Sequence, residues 1–93
     1  MTQVLGVALL GTGRMAHVYG PKINAHTGLK LEVIYNPRRS SADKVAALYG
    51  GRPTDDLDSV LSNPCVEAVI IATPTDTHVD YIEKVARAGK AIY

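Results

Sequence analysis

Gly11, Gly13 and Ala16 stand at the spacing that lets a peptide backbone hold a diphosphate. They follow the apolar run Val4 to Leu10 and open a stretch of helical periodicity from Arg14 to about Ala25, the strand-to-helix setting such glycines require. Gly11 permits a tight turn, Gly13 lets the main chain approach a ligand, and the small Ala16 lets helix and strand pack closely. The amides of the first helical turn are unpaired and carry the positive end of the helix dipole, so they attract phosphate without a lysine. No Gly-Lys-Ser/Thr follows, which argues against a P-loop. An ordinary strand-to-helix turn built of small residues would look the same in isolation. The second strand in register with it is what gives the pattern weight.

That second strand, Leu29 to Tyr35, ends about 20 residues beyond the glycines, where an acidic side chain would bind the ribose hydroxyls of NAD. Asn36 occupies the position instead, and Arg38 and Arg39 follow. Asparagine lacks the charge that would repel a 2′-phosphate, and guanidinium forks match phosphate geometry, so the pattern leans from NAD toward NADP. Two solvated arginines in a turn are the other reading of the same residues. Further on, Thr73-Pro74-Thr75 leaves the carboxyl end of a third major strand, Val66 to Ala72, where open α/β sheets place ligands. His78 comes in the first turn of the next helix; a histidine with no visible partner is more often a surface or capping residue, it is assigned no catalytic role, and contact on the cofactor side is preferred to catalysis. His17 and His26 share no metal-ligand spacing with a cysteine or a carboxylate pair, so neither a metal site nor a catalytic residue is proposed.

The elements that position these residues alternate between short continuous apolar runs and helical spacing, as expected of strands covered on both faces by crossover helices. The chain is read as one α/β domain over residues 1–93, a doubly wound, mostly parallel sheet cut short in the strand that begins near residue 91. Gly20-Pro21 predicts a kink or two short pieces within the first helix. The second helix is expected from Ser40, with Ser40 and Asp43 as a weak capping box, Val45, Leu48 and Tyr49 on one face, and Gly50-Gly51 as its stop. A short strand at Arg52 to Thr54 and a brief helix from about Asp56 to Leu61 follow. A last helix, capped by Thr75 or Asp76, carries Val79, Ile82, Val85 and Ala86 on one face and ends before Gly89.

A chain of 93 residues, 46% hydrophobic, can hold one core, though a short one gains from a stabilising partner. The formal net charge of +1 comes without a basic stripe, which argues against nucleic acid. No apolar run is long enough to span a bilayer, and Met1-Thr2-Gln3 lacks the basic start of a signal peptide, so no membrane is expected and the cytoplasm is the default. The single Cys65 agrees with a reducing compartment and is read as a small apolar residue near the start of a strand.

Taken in order, Leu10-Gly11-Thr12-Gly13-Arg14-Met15-Ala16, Tyr35-Asn36-Pro37, Ala72-Thr73-Pro74 with His78, and Ala88-Gly89-Lys90 resemble the amino-terminal domain of the glucose-fructose oxidoreductase / inositol dehydrogenase / rhizopine catabolism family. Within it the resemblance is greatest to inositol 2-dehydrogenases and related sugar or cyclitol dehydrogenases. It covers essentially the whole chain and implies a Rossmann half that binds NAD or NADP, joined to a second domain that shapes a sugar site. It places Gly11, Gly13, Arg14 and Met15 at the pyrophosphate, Asn36 and Arg38 at the adenosine ribose, and Thr73, Pro74 and His78 on the nicotinamide side; Thr12 and Arg39 are counted with them as cofactor-binding residues. The family's Glu-Lys-Pro motif, its Asp-x-x-x-His pair and its substrate domain do not occur in these residues. No turnover is therefore expected of the chain alone, and uncovered sheet or helix surface is expected to drive self-association. A free-standing dinucleotide-sensing module, or the front domain of an imine or biliverdin-type reductase, would share the same motifs.

Overall fold

The computed structural model describes residues 4–72 and 78–92; within the last helix the side chains of residues 78 and 79 are not described. Among the described residues nine elements alternate: β1 (Leu5–Leu10), α1 (Arg14–Ala25), β2 (Leu29–Tyr35), α2 (Arg39–Tyr49), β3 (Arg52–Thr54), α3 (Leu57–Leu61), β4 (Ala68–Ile71), α4 (His78–Arg87) and β5 (Ala91–Ile92). The five strands form one sheet in the order β3-β2-β1-β4-β5, every neighbouring pair parallel. This is the doubly wound arrangement, and its strand order reverses at β1, where such sheets open a crevice beyond their carboxyl ends.

Side chains along β1 alternate between two cores. Val7 and Leu9 face α1 and α2, packing with Ala16, Ile23, Ala42 and Val45. Ala8 and Leu10 face α3 and α4, packing with Val60, Val69 and Val85. The pairing of β1 with β2 slips by one residue between Val7 and Ala8, so Leu31 and Ile34 serve the first core and Val33 and Tyr35 the second. The odd residue is Glu32, half-buried and 3.5 Å from the Lys30 ammonium.

Three local expectations give way to tertiary packing. Helix α1 runs unbroken through Pro21 rather than dividing in two. Ala16, Gly20 and Ile23 are buried on either side of the proline, and Asn24 Nδ2 donates to the carbonyl of Tyr49 at 2.7 Å, so both halves are held against the same surface. Helix α2 starts at Arg39 with no side-chain cap, and the Ser40/Asp43 box does not form. The turn into it is made instead by Asn36, whose Oδ1 accepts the Arg38 N–H at 2.8 Å, while Asp43 pairs with Arg39. The buried face of α2 is Ala42 and Val45, supported by Ala46 and Tyr49; Leu48 lies off it and is 64% exposed.

Of the described residues on the expected apolar face of α4, Val85 is buried, with Tyr81 packed beside it, while Ile82 and Ala86 are exposed. The Thr75 or Asp76 cap lies outside the described residues. Cys65 is an exposed free thiol in the loop before β4, not a packed residue. Its carbonyl, rather than its sulfur, is what matters to the fold, as Gly6 shows below. The edge strand β3 carries Pro53 between residues whose pairing bonds run to β2, which leaves its outer edge without a central donor. Among the described residues no helix is long and apolar enough to cross a membrane.

Candidate cofactor site

The glycine turn lies at the carboxyl end of β1, where the strand order reverses. Gly11 has φ +104°, a conformation side chains avoid, and its N–H donates to the Tyr35 carbonyl at 2.8 Å, which ties the turn to the end of β2. Gly13 is the N-cap of α1, exposed, and a Cβ built on it would meet no atom of the described residues within 4 Å. No side chain among the described residues caps the helix and no acidic residue stands in its first turn, so the helix itself supplies nothing that neutralises the positive end of its dipole. Ala16 is fully buried, the close packing of helix on strand that its size permits. Arg14 and Met15 are exposed at the rim.

These features meet the conditions for a diphosphate: a bare main chain, free helical amides and open space above them. A side chain at residue 13 would fill that cradle. The end of β2, where the ribose contact is expected, is more constrained. Asn36 is half-buried; its backbone N–H donates to the Thr54 carbonyl at 3.1 Å, and its side chain is bonded to both Arg38 and Thr12. Arg38 and Arg39, adjacent in sequence, part company. Arg39 Nε lies 3.0 Å from Asp43 Oδ1 and the side chain lines a cleft of about 220 Å³ beside β3 together with Arg52, Thr54 and Ser59. Arg38 is exposed at the N-cap of α2.

Of the remaining expected contacts, Thr73 and Pro74 lie outside the described residues, and His78 is placed as the first residue of α4 without a described side chain. Ala72, the last described residue before them, donates its N–H to the Leu10 carbonyl at 2.7 Å, so the chain leaves β4 directly beside the glycine turn. Thr54 was not anticipated as part of this end of the sheet. Its carbonyl holds Asn36 and its Oγ1 accepts the Asp56 N–H at 3.1 Å, which ties Asn36 to the turn before α3. A three-residue strand centred on proline offers little signal of such a role.

A phosphate-ready glycine turn at the reversal of a doubly wound parallel sheet defines a dinucleotide-binding Rossmann domain. Residues 5–93 match the family described as "Oxidoreductase family, NAD-binding Rossmann fold", the glucose-fructose oxidoreductase / inositol dehydrogenase / rhizopine catabolism group, and the chain belongs to that family. It is 36% identical over 85 residues to inositol 2-dehydrogenase of Rhizobium meliloti, covering 91% of this chain and 26% of that protein. Against scyllo-inositol 2-dehydrogenase (NAD(+)) of Bacillus subtilis the identity is 38% over 88 residues, covering 92% and 26%. A solved structure of a candidate NADPH-dependent oxidoreductase from Desulfitobacterium hafniense superposes with a TM-score of 0.95 at 34% identity, covering 100% of this chain and 27% of that one. The chain thus spans about a quarter of the length of the relatives it matches.

Proposed function

We propose that this domain binds NADP in preference to NAD, with Gly11, Gly13, Arg14 and Met15 about the bridging diphosphate, the Asn36–Arg38 turn at the adenosine ribose, and Thr12 a cofactor contact between them. The observation that carries the reading is the open space over Gly13 at the uncapped, acid-free start of α1. The preference rests on the absence of a carboxylate at residue 36 and on the exposed Arg38. Arg39, held by Asp43, is left a supporting charge rather than a direct phosphate ligand. Thr73, Pro74 and His78 remain the proposed contacts on the nicotinamide side.

For the whole enzyme we propose hydride transfer between the nicotinamide and a ring hydroxyl carbon of a cyclitol or sugar, a reading supported by the two inositol dehydrogenases among the relatives. Bound nicotinamide supplies the hydride chemistry. The residues of this chain contribute binding and orientation. Turnover also demands the alcohol carbon held beside the ring with a base in hydrogen-bond reach, so we expect none from these 93 residues alone. An apolar groove of about 360 Å³ lined by Leu5, Val7, Tyr19, Leu29, Ala68 and Ile70 supports self-association of the isolated domain.

Parallel calorimetric titrations with NADPH and NADH test the proposal. Saturable one-to-one binding, tighter for NADPH, is the expected result. Binding of neither would overturn the dinucleotide reading, and tighter NADH would overturn the preference.

A further inference from the structure

The side chain of Asn36 is engaged within the protein at both of its polar ends. Its Oδ1 accepts the Arg38 N–H at 2.8 Å, and its Nδ2 donates to Thr12 Oγ1 at 2.8 Å. The first bond fixes the orientation of the amide. A backbone N–H can only donate, so the oxygen must face Arg38 and the NH₂ must face Thr12. The Thr12 hydroxyl therefore receives a hydrogen from Asn36 and keeps its own for another acceptor. Among the described residues no other hydrogen bond of that hydroxyl is found.

Thr12 sits between the two glycines of the turn, half-buried, and beside the residue at the ribose position. We infer that Thr12 is a specificity-determining residue whose hydroxyl, set as an outward donor by Asn36, selects a phosphoryl oxygen at the ribose 2′ position. This inference rests on the dinucleotide reading above. A phosphate accepts such a hydrogen in a charge-assisted bond about twice as strong as the neutral bond available to a hydroxyl. A carboxylate at residue 36 would reverse the arrangement, because it can only accept: Thr12 would donate inward and present lone pairs to the ligand. The polarity of one hydroxyl thus follows the identity of residue 36. Asn36 acts through Thr12 as a positioning residue.

The test uses the intact chain, with NADPH and NADH titrated into wild type, Thr12→Val, Thr12→Ser, Asn36→Asp and the double variant Asn36→Asp/Thr12→Val, each checked for folding by circular dichroism. Thr12→Val should weaken NADPH about tenfold, the scale of one hydrogen bond to a charged group, and move NADH less than about twofold. Thr12→Ser should restore NADPH binding. In the Asn36→Asp background, loss of the Thr12 hydroxyl should weaken NADPH no further. Equal losses for both dinucleotides, no loss, or a full additional loss in the Asn36→Asp background would each overturn the role of Thr12. Should Thr12→Val fail to fold, Thr12→Ala carries the same comparison. A wild-type chain that binds neither dinucleotide sinks the parent reading with this one; a wild type that binds beside an inert Thr12→Val sinks this one alone.

Discussion

At the start of β1, a Cβ on Gly6 would lie 1.8 Å from the carbonyl oxygen of Cys65, whereas beyond the end of the same strand a Cβ on Gly13 would meet no atom of the described residues within 4 Å. The first glycine lets two main chains touch. Its carbonyl accepts the Glu67 N–H at 2.9 Å, drawing the segment before β4 onto β1. That end of the sheet is tied further by Lys90, whose ammonium reaches the carbonyls of Asn63 and Val66 and fastens the α4–β5 turn to the same loop. At the other end donors are left open: among the described residues no side chain caps α1, and its first turn holds no acidic residue. A missing side chain therefore closes the fold at one end of β1 and leaves a surface for a ligand at the other. Stability and binding should separate along a single strand.

The largest effect is expected from Gly6→Ala. The atoms in the way are backbone, which cannot swing aside as a flexible side chain can, so the cost should reach the upper end of overpacking, about 3 kcal/mol or more. For a small domain that is a large part of the total stability. Urea denaturation should show a strongly lowered midpoint or an unfolded chain; a midpoint shifted by less than about 0.5 kcal/mol would break the contrast at its structural end. Gly13→Val should do the reverse. Residue 13 has φ −76°, open to any side chain, so the melt should move by no more than about 1 kcal/mol, the scale of a weakened N-cap. Affinity for both dinucleotides should fall at least about tenfold, since the added methyls occupy the cradle. Unchanged affinity would show that Gly13 guards no ligand.

The order of strands and helices and the glycine turn were legible because each rests on local signals: apolar runs, helical spacing and the small residues between them. Gly89 stops α4 with φ +76°, as its place past the last helical turn implied. What was not legible depends on contacts between distant segments. Gly6 looks like a weak point in a strand until Cys65 is seen crossing it, about sixty residues away in the chain but in van der Waals range in space. Gly20-Pro21 reads as a helix breaker until the Tyr49 ring is found seated on Gly20, where a Cβ would come within 2.6 Å of it. At the site, the spacing singled out Asn36 at the end of β2 as the proposed ribose contact. It could not disclose that the amide is bonded to Thr12, because that bond depends on how the Gly11 turn is tethered to Tyr35.

The smallest effect concerns Tyr35, which sharpens the contrast from the ligand side. It pairs with Leu10 in the sheet, and its carbonyl holds the Gly11 N–H, so it supports the glycine turn from beneath. Its ring is buried and meets Tyr81 edge-on, with centroids 6.1 Å apart. Burial, reinforced by the hydrogen bond to Tyr81, pushes the phenol up from 10.0 to about 12. The folded chain thus keeps a proton that the unfolded chain releases at lower pH. The associated stabilisation is complete below pH 10 and is lost as pH rises from 10 toward about 12. Melting temperatures taken from about pH 8 to 11 should therefore fall more steeply above about pH 10 in wild type than in Tyr35→Phe. Parallel curves would mean that the ligand end draws nothing from this phenol. A steeper fall accompanied by early amide exchange at Gly11, ahead of Glu67, would place the first loosening at the end of β1 that binds and leave the stapled end intact.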